Sequence, residues 1–282
     1  MDSPPEGSSP PNPSDGAAVD TFLPLDTVAE VAADASDAAA PTVSSVGLLA
    51  YYPCEGSGGA SGTSLVDVSG NGHHGTIAVG PPPTGVDSSV SGGAAIEGQA
   101  FAFSPGRVGK GLALHASANA YVALPEGLVA GQTEMTVAAW IKVKGTTAFQ
   151  RVFDFGTDSN NFMYLVTANS KNTAPRFRIV SSAAAEGGVS QILEGARPVA
   201  VDVWTHMALV IGPGWGAIYV NGALQVISSA VTLRPADLGR TTNNYIGRSQ
   251  FAVDPYFDGA IDEFRIYARA LSTDEIAVLA SE

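Results

Sequence analysis

Residues 243–279, NNYIGRSQFAVDPYFDGAIDEFRIYARALSTDEIAVL, spell a strand, a long loop, a second strand and a capped helical turn. In the second strand Ile261, Phe264, Ile266 and Tyr267 supply apolar surface, and Asp262, Glu263 and Arg265 interrupt it. Ser272 followed by Glu275 is a capping box, in which each side chain satisfies a backbone N–H at the helix start. It predicts a short helix over Ile276 and Leu279. A strand closed by one helical turn points to an all-β domain with a small helical appendage.

Before that segment the chain is strand-like with closely spaced turn signals. MTVAAWIKV alternates Met135, Val137, Ala139, Ile141 and Val143 against Thr136, Ala138, Trp140 and Lys142, a period of two that buries one face more deeply. Trp204–Ile211 reads as another strand, and AIYV and ALQVI flank Asn221-Gly222, a two-residue hairpin signal because both residues tolerate positive φ. Arg151–Gly156, Asn161–Thr167 and Arg176–Ser181 are spaced as an antiparallel meander. The 32 glycines and 18 prolines suit many tight connections. A parallel sheet needs helical crossovers, and none is readable. These signals predict two packed antiparallel sheets with a short C-terminal helical turn.

The first 45 residues differ in kind. They contain seven prolines and eight acidic residues, no Lys or Arg, and Phe22 as their single aromatic. Too little apolar surface is present to offset the entropy of ordering, so residues 1–45 are expected to be a disordered acidic tether and 46–282 the folded domain. The spacing of Val28, Val31 and Ala32 is helix-compatible, but the linker reading is favoured. Residues 80–98 are expected to form a long surface excursion. Eight of the thirteen net negative charges lie in the tether, and no basic stripe is present to neutralise phosphates, which argues against a nucleic-acid partner. No apolar run approaches the ~20 residues needed to span a bilayer, and Asp2 and Ser3 after Met1 do not start a signal peptide. Cys54 is the single cysteine, so no disulfide forms within the chain, and a small buried hydrophobe is expected there.

Four stretches in order resemble one family. They are LLAYYPCEGSGG…SLVDVSGNGHHG (48–75), GRVGKGLALHASANAYVAL with MTVAAWIKV, VWTHMALVIGPGWGAIYVNGAL, and the closing segment. Together they are similar to laminin-G-like domains of the concanavalin A-like lectin/glucanase superfamily over roughly residues 46–280. The resemblance implies a jelly-roll sandwich, an extracellular or cell-surface location, and glycan or protein partners. It also implies a structural calcium near the DVSGNGHHG turn. Carried over by position, the ligands are Asp67 and Asn71 from the turn and Asp262 from the closing strand, with Glu55 as a weaker candidate. Calcium takes six to eight oxygens, which such a glycine-rich turn can offer. The competing reading is that Asp67 and Asn71 only hydrogen-bond their own turn. Adjacent His73 and His74 point to opposite sides and do not make a zinc pair, and His206 reads as structural.

Relatives on this fold include glucanases that use Glu-x-Asp-x-x-Glu to place carboxylates on one strand face. That motif is missing, Asp262 and Glu263 are neighbours expected on opposite faces, and no Gly-x-Ser-x-Gly is found. Catalysis is therefore not expected. A sugar site pairs an aromatic platform with polar groups for hydroxyls. Candidates are Trp215 in the Gly-Pro-Gly-Trp-Gly turn and Tyr256, with Asn160, Asn161, Asn243, Asn244, Arg248, Gln250 and Asp254 as polar partners. Trp140 and Trp204 are expected in the core. The function expected is a non-catalytic carbohydrate-binding or adhesion module on a flexible tether. The alternative is a surface domain that binds a protein without glycan affinity.

Overall fold

The structure, a computed structural model, describes residues 43–57, 60–84, 100–182 and 189–282. The expected tether lies outside these residues up to position 42, as does the expected excursion from 85 to 98. In chain order the strands begin with β1 (Leu48–Tyr52), β2 (Ser64–Leu65), β3 (Gly75–Val79), β4 (Phe101–Pro105), β5 (Lys110–Leu114) and β6 (Ala120–Leu124). There follow β7 (Met135–Val143), β8 (Arg151–Asp158), β9 (Asn161–Val166), β10 (Arg176–Ser181) and β11 (Val189–Glu194). The last are β12 (Thr205–Gly212), β13 (Trp215–Val220), β14 (Ala223–Ser228), β15 (Asn243–Ile246) and β16 (Gly259–Tyr267), before helix α1 (Thr273–Leu279).

Among the described residues these strands form two eight-stranded antiparallel sheets. The first runs β14-β13-β12-β7-β16-β5-β4 and the second β11-β10-β9-β8-β15-β6-β3-β2. β1 joins the first sheet on the same edge of β16 as β5: β5 pairs with Gly259–Ile261 and β1 with Phe264–Tyr267. The expected two-sheet sandwich with one short terminal helix is thus the observed fold. Asn221 and Gly222, at φ 49° and 76°, make the β13–β14 turn as their dipeptide predicts.

The period-two reading of β7 holds on its inner face. Met135, Val137, Ala139, Ile141 and Val143 join one core with Phe153, Phe155, Met163, Leu165, Phe177 and Ile179 of the facing sheet. The outer face is also partly covered. Ala138, Ala208, Val210, Ala217, Tyr219 and Tyr267 pack against Leu271 and against Ile276 and Leu279 of α1. Burying the two α1 side chains contributes about 1.5–3 kcal/mol each, which fastens a helix too short to persist alone.

α1 starts as read. Ser272 Oγ accepts from Glu275 N at 3.2 Å, and Glu275 Oε2 accepts from Ser272 N at 2.9 Å. Arg269 forks onto both Glu275 oxygens at 2.6 and 2.8 Å. That bidentate pair, ahead of the Ser272 contact, holds the Glu275 carboxyl down at about 2. A lowered folded-state value stabilises above the ordinary value of 4.5 and is lost as pH falls towards 2. Acid unfolding of Glu275→Gln beside the native chain should therefore show a stability gap above pH 4.5 that closes towards pH 2. A gap independent of pH would disprove the assignment.

β16 departs from simple alternation. Its pairing with β7 shifts between Asp262 and Arg265, and Glu263 takes a left-handed φ of 51°. Both acids are consequently buried, where unbroken alternation would have exposed one. Glu263 pairs with Arg265 and accepts from Tyr51 Oη at 2.5 Å, while Asp262 Oδ2 accepts from Arg107 N and Val108 N at 2.8 and 3.0 Å.

Candidate functional site

The segment joining β15 to β16 folds back over the outer face of the second sheet and makes a cavity there. Its anchor is Arg151 at the start of β8, 1% exposed. Arg151 Nε donates to Asp154 Oδ2 at 3.0 Å, Nη2 to Asp254 Oδ2 at 2.7 Å, and Nη1 to Phe149 O at 2.9 Å. Its guanidinium carbon lies 3.8 Å from the centre of the Tyr164 ring. Phe251 packs edge-on to Phe162 with ring centres 5.2 Å apart. Ser249 Oγ donates to Asp254 Oδ2 at 2.9 Å, and the Gln250 N–H donates to Asp154 Oδ2 at 3.1 Å. Burial, which outweighs the Arg151 charge, pushes the Asp154 carboxyl up to about 6.

Beside this anchor the outward residues of β6 and β15 form an aromatic group. Tyr121 and Tyr245 stand edge-to-face at 5.3 Å, and Tyr256 lies 6.2 Å from Tyr121. The Arg248 guanidinium sits over both Tyr121 and Tyr245, at 4.7 and 4.8 Å. Such stacking orients a guanidinium without consuming its N–H donors. Burial raises the phenols of Tyr245 and Tyr256, and the Tyr256 hydroxyl donates to Pro81 O at 3.0 Å. The cavity holds about 130 Å³ and is lined by Arg248, Gln250, Phe251, Asp254, Tyr256 and Pro81 among others. That is about four waters' share of liquid, room for one small ring. Among the described residues Arg248 makes no ion pair, and Asp254 Oδ1 accepts no hydrogen bond.

Of the residues singled out in the sequence, Arg248, Asp254, Tyr256 and Gln250 meet in this cavity. Others do not. Trp215 lies against the α1 cluster on the other sheet, its ring over Gly212, where a Cβ would come within 2.2 Å of it. Asn244 is buried and donates to Pro125 O at 2.7 Å. Asn161 donates to Leu238 O at 2.8 Å and lines a separate cavity with Ser181 and Asp237. Trp140 is buried on the outer face of the first sheet, not between the sheets, and Trp204 is half-buried. Tyr121, Tyr245, Arg151 and Asp154 complete the site. Their period-two placement opposite core residues was the signal that could have found the tyrosines.

The four calcium candidates fall into two groups. Asp67 Oδ1 accepts from Tyr51 N and Ser69 N, both at 2.9 Å, and Oδ2 from Ser69 Oγ at 2.9 Å and His73 N at 2.8 Å. A carboxylate has about four lone-pair sites, so all are engaged. Asn71 turns its amide N–H groups, not its oxygen, to Leu48 O and Leu49 O at 2.9 and 3.0 Å. Glu55 and Asp262 instead hold the loop before β5, accepting from Lys110 N and from Arg107 and Val108 N. Among the described residues no three His, Cys, Asp or Glu side chains gather as a metal set. As they stand these donors do not fit calcium. Thermal unfolding is expected to coincide in millimolar calcium and in chelator, and a clear upward shift with calcium would show that the turn reorganises around the ion.

A family model described as the concanavalin A-like lectin/glucanases superfamily matches residues 116–277. An alpha-L-arabinofuranosidase of Bifidobacterium longum subsp. longum is 35% identical over 78 residues, 28% of this chain and 7% of that enzyme. The chain thus matches only a small part of that enzyme's length. Domain 4 of AbnA, a GH43 extracellular arabinanase from Geobacillus stearothermophilus solved in complex with arabinotriose, superposes with a TM-score of 0.63 at 25% identity. That match covers 83% of this chain and 98% of the domain. Trypanosoma rangeli sialidase shares the fold, with a TM-score of 0.53 at 17% identity over 86% of this chain and 33% of that one.

Proposed function

From the premise that the chain belongs to the concanavalin A-like lectin/glucanases superfamily, we propose that it is a non-catalytic carbohydrate-binding module. The observation that carries this reading is Arg248, held over two tyrosines in the lining of a one-ring cavity with no carboxylate partner among the described residues. Tyr256 and Phe251 supply apolar walls, while Arg248 donates and Asp254 accepts, which is the combination that sugar hydroxyls require. Arabinose-containing polysaccharide is the first ligand class to test, because the arabinanase domain was solved with arabinotriose and the matching enzyme segment is from an arabinofuranosidase. An extracellular or cell-surface site of action fits a polysaccharide ligand. Among the described residues no helix is long and apolar enough to cross a membrane.

The non-catalytic part rests on the acids. Asp254, which lines the cavity, shares the single Arg151 guanidinium with Asp154, and Asp154 is fully buried. A glycosidase needs one carboxyl as proton donor and one as base or nucleophile, both facing the substrate. Here the two acids clamp a loop. Calorimetric titration with arabinotriose and other neutral trisaccharides, alongside a reducing-sugar assay on the polysaccharides, tests both halves. Saturable binding without sugar release is expected. Absence of binding across the panel would reject the lectin reading, and sugar release that survives repurification would reject the non-catalytic one.

A further inference from the structure

The outer face of the first sheet carries a different constellation where α1 ends. Across three adjacent strands His206, Trp140 and Asp262 stand in one row. The Arg107 guanidinium carbon lies 4.4 Å from the centre of the Trp140 ring, and its loop is fixed because Asp262 accepts the Arg107 and Val108 N–H groups. The indole N–H of Trp140 and Nδ1 of His206 are buried with no hydrogen-bond partner among the described residues. Trp204, half-buried, rests over Gly111, where a Cβ would stand 3.2 Å from the indole. The missing side chain lets the ring lie against the sheet.

Trp204 is the wall shared by two cavities. One, of about 390 Å³, is lined by Arg107, Trp140 and Asn221. The other, of about 130 Å³, is lined by His115, Lys142, Lys144 and Asp258. Lys144 pairs with Asp202 at 2.9 Å, whereas among the described residues Arg107 and Lys142 make no ion pair. The whole chain has 14 Lys and Arg against 27 Asp and Glu. Lys142 shares its cavity with Asp258 and helps Lys144 hold the Asp202 carboxyl down. Yet neither it nor Arg107 is tied into an ion pair among the described residues, which leaves both cations free to meet a ligand. A planar guanidinium held in place by an aromatic face matches a carboxylate bidentately, and an indole face matches the apolar face of a sugar ring.

We propose that this groove is a second binding site, for an acidic saccharide built of uronic acid units, with a sugar ring against Trp204 and carboxylates on Arg107 and Lys142. The site is on the opposite outer face from the Arg248 cavity and does not depend on it. The chain has three tryptophans, of which Trp140 and Trp204 line this groove, Trp215 packs by α1, and none lines the Arg248 cavity. Indole fluorescence of the full chain therefore reports on the groove. Titration with a galacturonic acid trimer should give a saturable change that weakens as salt is raised. Arg107→Gln and Lys142→Met should each weaken it about tenfold, the loss of one charge-assisted contact. Their melting midpoints should stay within about 4 °C of the native chain, the most that loss of the Arg107 stacking on Trp140 would cost. Arabinotriose, the neutral probe, should leave the indole signal flat. No response to the acidic trimer, an equal response to the neutral one, or an Arg107→Gln variant that binds as tightly as the native chain would each overturn the proposal.

Discussion

Replacing Arg151 by Met is expected to lower the unfolding free energy by about 3–5 kcal/mol, the cost of leaving buried charge without its partner. Arg151 is 1% exposed and faces two carboxylates at 3.0 and 2.7 Å. Met keeps most of the apolar stem but removes every donor. Asp154, wholly buried and with Oδ1 already unpartnered among the described residues, would then have only the Gln250 N–H for support. It would answer by binding a proton. Its folded-state value is already raised to about 6, and losing Arg151 raises it further, so the variant should be less handicapped at pH 5 than at pH 8. Urea unfolding at the two pH values measures this. The double variant Arg151→Met/Asp154→Asn should recover part of the loss, because the stranded charge is removed along with its partner. A single-variant loss below about 1 kcal/mol would mean that water reaches this cluster and that it is no anchor.

Replacing Arg248 by Ala is expected to cost about 2 kcal/mol of glycan affinity, roughly thirtyfold, the scale for a central anchoring arginine. Stability should change little, since the stacked contacts to Tyr121 and Tyr245 contribute about 0.5–1 kcal/mol at a half-exposed position. Arg248→Lys should recover only part of the affinity, because an ammonium is a point charge without the planar fork. Calorimetric titration with arabinotriose gives the comparison. If Arg248→Ala binds like the native chain, the cavity beside Tyr256 is not where the sugar sits.

The features legible in the sequence are those set by neighbouring residues. The Ser272–Glu275 box, the Asn221-Gly222 turn and the alternation in Met135–Val143 each act within a few positions, and each is found. The site is assembled across distance. Arg151 and Asp254 are 103 positions apart, and nothing local announces that they meet. Trp215 in its glycine-rich turn reads as a sugar platform, yet Gly212 serves as the flat place on which that indole lies. Asn161 and Asn244 read as free amides, but a helical turn ending at Leu238 and the end of β6 leave carbonyls that need donors, and Leu238 O and Pro125 O take them. Asp262–Glu263 defeats the period-two rule because a bulge adds a residue to one strand.

The pairing of β1 with β16 has a mechanical corollary. The start of β1 lies beside the end of β16, Leu48 opposite Tyr267, and Gly47 O accepts from Ala268 N at 2.7 Å. A pull that separates residues 47 and 268 therefore loads the rungs of this ladder one after another, like a zipper, where a pull along the strands would load them together. Under tension between these points the β1–β16 seam should peel first and at low force, taking with it the Arg269 contact to Val46 O. The outward tyrosines of β6 and β15 are carried on the other sheet, so the Arg248 cavity would outlast the first step of mechanical opening.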